Sequence, residues 1–350
     1  MKVVVATTQV PFIRGGAEIH AENLLAALRQ SGVEAEMVAI PFKWYPAPKI
    51  IDHILACRLL DLEEANGEKI DRVIGLKFPA YLIPHPNKVL WILHQHRTAY
   101  DLKNHPLYAD LIHQEQGSAV IGAIEQADRR YIPEAKAIYA NSRNVAGRLK
   151  HFCGIDSQPL YHPPGNAEAF YNADAEPYLY FPSRLNPLKR QSLVIEALAH
   201  TRQPVSVVFA GAADNPAYGE ELKALAERLG VASRITWAGR VSEEDKLSLY
   251  ARSMGVVYPP IDEDYGYITL EAMLAAKPVI TTEDAGGPLE FVENGQTGLS
   301  CAPTAEALAA AMDELWSDRT RAQRWGREGK ALYAARNVSW RNVVDTLLAS

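Results

Sequence analysis

The sequence predicts an α/β protein in which two doubly wound, parallel-sheet domains follow one another along the chain. Three observations lead to this prediction. Strand-like runs alternate with amphipathic helical stretches, which is typical of βαβ units and a parallel sheet. The same alternation starts again after a polar, proline-bearing stretch at residues 162–168. The 350 residues are also enough for two domains that each bury a core.

The first domain is expected to open with a strand, a glycine turn and a helix. The strand covers residues 2–7 and the helix residues 17–30, and Gly32 stands where a helix C-terminal cap belongs. Further strands are expected at residues 35–40, 72–76, 89–93 and 137–140. The spacing between these strands leaves room for the crossover helices that parallel strands need.

The second domain is expected to repeat this pattern with five short strands. One of its helices opens with the capping box Ser242-Glu243-Glu244-Asp245. The expected strands cover residues 178–182, 205–210, 235–238, 255–258 and 278–282. Helices are expected at residues 191–200, 218–229, 243–254, 267–276 and 289–293, and the tail from 304 to 350 reads as helical. We therefore place the first domain at residues 1–165 and the second at 166–335.

Composition and charge exclude several classes of function. The net charge is −6, and after residue 165 there are 25 Asp and Glu against 18 Lys and Arg, which argues against a nucleic-acid partner. Cys57, Cys153 and Cys301 lie far apart without CxxC spacing, which fits a reducing compartment and argues against a structural zinc site. No apolar run reaches the roughly 18 residues of a membrane span, and the opening lacks signal-peptide features. We therefore expect a cytoplasmic protein.

The first candidate binding motif is Gly15-Gly16-Ala17-Glu18, between the first strand and the first helix. Two glycines let a ligand approach the backbone, and the helix start offers N–H groups to an anion. The alternative is a simple turn. The full GxGxxG pattern is absent, which argues against a dehydrogenase.

The second motif, Ser183 to Lys189, lies between a strand end and a helix. Ligands of such sheets bind at the carboxyl ends of strands, and Arg184 and Lys189 have the charge and spacing to clamp a diphosphate there. The alternative is a solvated basic loop.

The third motif, residues 263–271, is the most informative. Gly266 opens a helix whose first N–H groups, at Tyr267 and Ile268, can meet a phosphate, while Glu263 and Glu271 lie on either side. Carboxylates repel a phosphate, so their use there is to accept hydrogen bonds from hydroxyl groups, which a sugar nucleotide offers at both ends. The alternative is a solvated acidic loop.

Two further segments follow strands. His94, in Trp91 to Arg97, can bind a sugar hydroxyl; chelation of a metal with His96 and simple packing are the alternatives. The segment Ala285-Gly286-Gly287-Pro288 supplies another glycine-flanked helix start or only a tight turn.

Together these motifs resemble those of the family 4 retaining glycosyltransferases, which have the GT-B fold. That family's signature is a glutamate, seven intervening residues and a second glutamate around a Gly-Phe-Gly core. Glu263 and Glu271 have this spacing, with Tyr265-Gly266 in the later core positions, whereas Asp264 stands where the family has glycine. The other matching segments are Gly15-Gly16-Ala17-Glu18, the His162-Pro163-Pro164-Gly165 linker, Ser183-Arg184 with Lys189, and Asn294-Gly295 through Thr297-Gly298-Leu299.

The resemblance implies two Rossmann-like domains facing a central cleft, with the acceptor on the first domain and the nucleotide-sugar donor on the second. It also implies that a last helix, within residues 336–350, packs back on the first domain. The implied reaction moves a hexose-type sugar from a GDP- or UDP-sugar to a glycan or lipid-linked acceptor in polysaccharide biosynthesis. Anomeric configuration is retained, no metal or other cofactor takes part, and peripheral contact with the inner face of the membrane is compatible with such an acceptor.

The resemblance also implies a role for each motif. Arg184 and Lys189 stabilise the leaving diphosphate, Glu263 binds donor-sugar hydroxyls, and His94 touches the transferred sugar. The residues implied in binding the rest of the donor are Gly15, Gly16, Gly266, Tyr267 and Ile268 for the phosphates, Glu271 for the ribose, and Arg240, Val241 and Glu243 for the base. A carboxylate at Glu243 can accept from guanine, which favours a GDP-sugar.

Two other functions fit the same motifs. One is a nucleotide-sugar epimerase or a sugar phosphorylase of the same fold. The other is a non-catalytic sugar-nucleotide-binding subunit, although the joint presence of Arg184, Lys189, Glu263 and Glu271 argues against loss of activity.

Overall fold

A computed structural model describes residues 1–13, 15–106 and 108–350 of the chain. These residues form two compact units, one made of 1–165 and 339–350, the other of 166–338. Each unit has a parallel sheet of six strands among the described residues, with helices between successive strands. The predicted doubly wound α/β class is therefore confirmed.

The first unit begins with the predicted strand and helix, each slightly longer than expected. Its strands are β1 (Lys2–Gln9), β2 (Glu34–Pro41), β3 (Glu64–Ala65), β4 (Glu68–Lys69), β5 (Arg72–Gly75), β6 (Lys88–Ile92), β7 (Ala137–Ala140) and β8 (Gln158–Pro159). Its helices are α1 (Gly16–Gln30), α2 (Lys49–Leu59), α3 (Gly117–Tyr131) and α4 (Arg143–Cys153). The main sheet has the order β2-β1-β5-β6-β7-β8, while β3 and β4 form a small antiparallel pair. Gly32 has φ +80°, the left-handed conformation expected after a helix end.

The second unit has six strands in its sheet where the sequence predicted five. They are β9 (Leu179–Pro182), β10 (Val207–Ala210), β11 (Ile235–Gly239), β12 (Gly255–Val257), β13 (Val279–Thr282) and β14 (Gly298–Cys301), in the order β11-β10-β9-β12-β13-β14. The helices are α5 (Gln191–His200), α6 (Pro216–Arg228), α7 (Glu243–Arg252), α8 (Tyr267–Leu274), α9 (Ala305–Ser317) and α10 (Arg319–Ala335). The core of this unit lies between the sheet and these helices, and Phe181, Phe209 and Tyr258 fill part of it.

Two predictions about the second unit were wrong. The segment 289–293 was expected to be a helix, but the chain forms only a short 3₁₀ turn at Gly287–Glu290. The strand β14 was missed because it opens with a glycine, which normally weakens a strand. A Cβ at Gly298 would lie 2.0 Å from the carbonyl oxygen of Val279, so glycine is needed there for β14 to approach β13.

The chain returns to the first unit with helix α11 (Trp340–Ala349). Val343, Val344 and Leu347 are buried against residues of β1 and α1. No helix among the described residues is long and apolar enough to cross a membrane.

Two buried histidines lie beside the start of α11. His20 Nδ1 and His162 Nε2 are 3.1 Å apart, and both rings pack against the rings of Trp91 and Trp340. Burial lowers the pKa of His162 to about 3, and burial together with His162 lowers the pKa of His20 well below its usual value. Both rings are therefore neutral at physiological pH.

The first unit should lose stability as the pH falls from about 6.5. His162 is neutral in the folded chain and takes up a proton in the unfolded chain, so its contribution is complete above the unfolded pKa and declines toward pH 3. The expected loss is about 1.4 kcal/mol per pH unit from this residue. Urea unfolding followed by tryptophan fluorescence between pH 7.5 and 5 should show a shallower pH dependence in His162→Gln; identical slopes would contradict the assignment.

Candidate active site

The candidate site lies where three loops meet at the carboxyl edge of the second sheet. These loops follow β9, β12 and β13, which are neighbours in the sheet. The amide of Ile261 donates to the carbonyl of Leu188 at 2.8 Å, and the amide of Asp262 donates to the carbonyl of Asp284 at 2.9 Å. Ligands of open parallel sheets bind at this edge, so the loops stand where the sequence places the phosphate site.

Glu263 is held in place by its own backbone. Its amide donates to the carbonyl of Ala285 at 2.8 Å, and its carbonyl accepts from the amide of Gly287 at 2.8 Å. These two bonds extend the parallel pairing of β12 and β13 into the loops. The carboxylate of Glu263 therefore projects from a fixed backbone position.

Two glycines allow the loop of Glu263 to pack closely on the loop after β13. Gly266 has φ +76°, and a Cβ there would lie 2.9 Å from the ring of Pro288. A Cβ on Gly287 would lie 2.8 Å from the carbonyl of Tyr265. The start of α8 therefore packs on the segment 285–288. The sequence left open whether this segment is a helix start or only a tight turn.

Lys189, Glu263 and Tyr258 form a compact polar cluster. Lys189 Nζ forms a short ion pair with the carboxylate of Glu263 and lies 3.1 Å from the hydroxyl of Tyr258. The same hydroxyl donates to Glu263 Oε2 at 3.1 Å. Burial, and then the charge of Glu263, raises the pKa of Tyr258 well above its usual value, so its hydroxyl stays protonated. The cluster brings together the predicted cation and the predicted sugar-binding carboxylate.

Arg184 lies at the other end of the loop that carries Lys189, and the two do not share a partner. Its guanidinium donates to Asp214 Oδ1 at 2.8 Å, and Asn186 donates to the other oxygen of Asp214 at 2.9 Å. The buried side chain of Gln191 spans the loop, donating to the carbonyl of Arg184 at 2.9 Å and accepting from the amide of Asn186 at 3.3 Å. The structure thus fixes the loop but gives Arg184 a carboxylate partner of its own.

Glu271 belongs to a second polar cluster on α8. Its carboxylate accepts from Tyr250 Oη at 2.7 Å and pairs with Lys246 Nζ at 3.2 Å. Lys246 also pairs with Glu243 at 2.8 Å, so two predicted donor-binding residues share one cation. Burial raises the pKa of Glu271 above its usual value against the opposing effect of Lys246. Val241 is half-buried against the core, and Arg240 is exposed at the end of β11.

The remaining predicted site residues lie on the first unit. Gly15 is the N-terminal cap of α1, and its amide donates to Glu18 at 2.8 Å; a Cβ on Gly16 would meet no atom of the described residues within 4 Å. His94 follows β6, with Nδ1 2.7 Å from the carbonyl of Gln95.

Several contributing residues were not predicted. Tyr258 and Lys246 read as ordinary strand and helix positions. Arg190 forms a two-armed ion pair with Asp284, which ties the loop after β9 to the loop after β13. A pattern of local spacing cannot identify such partners, because they are 94 residues apart.

The loop after β12 also carries acidic residues that bear on metal binding. Asp262-Glu263-Asp264 is an Asp-x-Asp sequence. Within the described residues, no three His, Cys, Asp or Glu side chains are grouped so that they could hold a metal ion.

Comparison with known proteins shows what the second unit is similar to. Residues 167–332 match the family model of the group 1 glycosyl transferases. The second unit carries a glycosyltransferase domain. The prediction of a glycosyltransferase is thereby confirmed at the level of this domain.

Curated relatives are also glycosyltransferases. The chain is 34% identical over 134 residues to the alpha-1,3/1,6-mannosyltransferase ALG2 of Dictyostelium discoideum, which covers 37% of this chain and 32% of that protein. It is 28% identical over 252 residues to the D-inositol 3-phosphate glycosyltransferase of Nocardia farcinica, covering 65% of this chain and 54% of that protein. The matches thus span between a third and about half of the length of these relatives.

Solved structures confirm the GT-B fold. The HepE protein of Anabaena, solved in complex with UDP and glucose, aligns over 100% of both chains with a TM-score of 0.71 and 19% identity. Sucrose-phosphate synthase of Thermosynechococcus elongatus aligns over 99% of this chain and 97% of its own, with a TM-score of 0.77 and 16% identity.

The close packing at Gly266 can be tested against a matched glycine. Gly266 and Gly295 have φ +76° and +75°, but only Gly266 has a neighbour that an added Cβ would strike. Alanine at either position should cost about 1–2 kcal/mol in unfolding free energy because of the backbone conformation. Gly266→Ala should cost about 1–3 kcal/mol more because of the contact with Pro288. Urea unfolding of both variants measures the difference, and equal losses would show that the two loops are not packed as described.

Proposed function

We propose that this chain is a retaining glycosyltransferase of family 4 that moves a hexose-type sugar from a nucleotide diphosphate sugar to a glycan or lipid-linked acceptor. The observation that carries the proposal is the cluster of Lys189, Glu263 and Tyr258 beside the start of α8. It combines a cation, a fixed carboxylate and a helix start at the ligand-binding edge of the sheet. A diphosphate linked to a sugar needs these groups side by side.

Lys189 supplies positive charge to the leaving diphosphate. An ammonium group has three N–H donors, and Lys189 directs two of them to Glu263 and Tyr258. The third is available for a phosphate oxygen, so the ion pair orients the cation without using all of its donors. Charge on the diphosphate grows as its bond to the sugar breaks, so this interaction strengthens in the transition state.

Arg184 can bind the diphosphate only if its guanidinium leaves Asp214. Its guanidinium is largely exposed, with 71% of the side chain accessible, and the ion pair with Asp214 is therefore weak. A bound diphosphate carries more charge than one carboxylate, and a two-armed contact with phosphate suits the guanidinium geometry.

Glu263 and Glu271 bind hydroxyls at the two ends of the donor. Glu263, fixed by its backbone bonds to Ala285 and Gly287, accepts from the transferred sugar. Glu271, held by Tyr250 and Lys246, accepts from the ribose. The amides of Tyr267 and Ile268, at the beginning of α8, receive the phosphates between them. Gly15, Gly16 and His94 on the first unit keep the roles that the resemblance implies.

Retention follows from attack on the face that the diphosphate leaves. The bond from the anomeric carbon to the phosphate oxygen breaks, the acceptor oxygen forms the new bond, and the acceptor proton passes to the departing phosphate. No protein nucleophile is needed, so Glu263 and Glu271 are not the acid and base of a hydrolase. Neither a metal nor another cofactor enters this scheme.

The charge of Glu243 suggests which base the donor carries. Glu243 is exposed at the start of α7, close in sequence to Arg240 and Val241, and its carboxylate can accept hydrogen bonds from guanine, which favours a GDP-sugar. The HepE structure contains UDP, which keeps a UDP-sugar as the alternative donor. A role in polysaccharide biosynthesis at the inner face of the membrane completes the proposal.

Replacement of either member of the Lys189–Glu263 pair should abolish most turnover. Lys189→Ala removes a charge-assisted donor from the leaving group, and Glu263→Gln removes the carboxylate that orients it, so each should lower kcat by about 100-fold or more. Release of nucleoside diphosphate from the donor, with and without acceptor, measures the rate.

Lys223→Ala is the matched control, since Lys223 is exposed and its ion pair among the described residues lies within α6. A near-normal rate in either site variant would refute the assignment, and free epimerised sugar without acceptor would favour the epimerase.

A thermal-shift screen identifies the donor. UDP, GDP and ADP, each with its sugars, are the probes. A bound ligand stabilises the folded chain by RT ln(1 + [L]/Kd), about 2.7 kcal/mol at a hundredfold excess over Kd, and so raises the melting temperature. We expect the largest shift with a GDP-sugar. Glu243→Gln should reduce the shift with GDP and leave that with UDP nearly unchanged. A larger effect on UDP would overturn the assignment of the base, and binding without transfer or hydrolysis would indicate a non-catalytic subunit.

A further inference from the structure

A pocket lies on the second unit, at the edge of the sheet opposite the candidate active site. It has a volume of about 260 Å³. Its lining includes Met254 and Pro278, which directly precede β12 and β13, whereas the candidate active site lies beyond the ends of those strands. The pocket therefore plays no part in the interactions described above.

A buried lysine forms one wall of the pocket. Lys277 is only 5% exposed, and its Nζ donates to the carbonyl of Ala173 at 3.2 Å. Burial lowers the pKa of Lys277 to about 8, against the opposing charge of Asp174, so the ammonium remains mainly protonated at pH 7. A buried cation with one neutral oxygen as its bonded partner is costly unless a further anion approaches it.

Helix α10 adds two more cations on one face. Arg319 and Arg327 line the pocket with Gln323 between them, at positions four residues apart that share one side of a helix. Both arginines are exposed, and neither forms an ion pair with a carboxylate in the part of the chain that the structure describes. Asp174 is the one acidic residue of the lining. The pocket is thus positive within a half of the chain where acidic residues outnumber basic ones.

Size and charge together define the ligand. The volume is smaller than the roughly 300–1,000 Å³ typical of pockets for drug-sized ligands. Two guanidinium groups and an ammonium match the several oxygens and double charge of a phosphate group. We propose that Lys277, Arg319 and Arg327 form a binding site for a small phosphate-bearing anion, separate from the donor site.

Close packing keeps this site in shape. A Cβ on Gly326 would lie 2.0 Å from the carbonyl of Ala276, so α10 rests directly on the turn that carries Lys277. The arginines are therefore presented from a helix whose distance to the lysine is fixed by backbone contact.

Calorimetric titration of the full chain tests the proposal. The probes are inorganic phosphate, pyrophosphate and glucose 6-phosphate, which distinguish a free anion from a phosphorylated sugar. In the Lys189→Ala background, which weakens the donor site, at least one probe should still bind. The double variant Arg319→Gln/Arg327→Gln should weaken that binding by about tenfold, because two charged donors are lost. Both arginines are exposed, so this variant should keep its melting temperature.

The control is Arg324→Gln on the same helix. Arg324 is exposed, pairs with Glu328 and does not line the pocket, so its replacement should leave phosphate binding unchanged. Lys277→Met provides a second variant, which should lose binding while a melting curve reports on its fold. The proposal is overturned if no probe binds, if the double variant binds as tightly as its parent, or if binding disappears with Lys189→Ala alone.

Discussion

The ion pair between Lys189 and Glu263 links two loops that follow neighbouring strands of the second sheet. The geometry of this ion pair depends on how the two loops are held. Glu263 is fixed through Ala285 and Gly287, while the loop of Lys189 is fixed through the side chain of Gln191. Because parallel strands all end at the same edge, short loops suffice to bring these groups together. The cation and the carboxylate are thereby positioned before any ligand binds, which lowers the entropy cost of organising the site.

The carboxylate of Glu263 neutralises the charge of Lys189, and this changes which ligands the site can select. A free cation at this edge would attract any anion, whereas a lysine already paired with a carboxylate discriminates by geometry as well as charge. Under the proposed function, the donor offers phosphate to the ammonium and hydroxyls to the carboxylate at the same time. Under that proposal, the pairing favours a sugar joined to a diphosphate over either component alone.

The sequence was sufficient to predict the fold class and the location of the motifs, because both depend on local patterns. Alternating strands and helices predicted two parallel sheets, and the spacing from Glu263 to Glu271 predicted a loop followed by a helix opened by Gly266. What it could not predict were contacts between distant segments. Tyr258 and Lys246 have no local signature, the partnership of Arg184 with Asp214 spans 30 residues, and β14 depends on the absence of a side chain at Gly298.

The order in which the chain is made gives the return of α11 to the first unit a further meaning. Residues 166–338 are an insertion in the first unit, and the apolar cluster around β1 and α1 is completed by Val343, Val344 and Leu347. During synthesis, the apolar faces of β1 and α1 therefore stay exposed until α11 leaves the ribosome, after the whole second unit. This one cluster should therefore be the last to close, and its apolar residues should need protection from aggregation until α11 has been made.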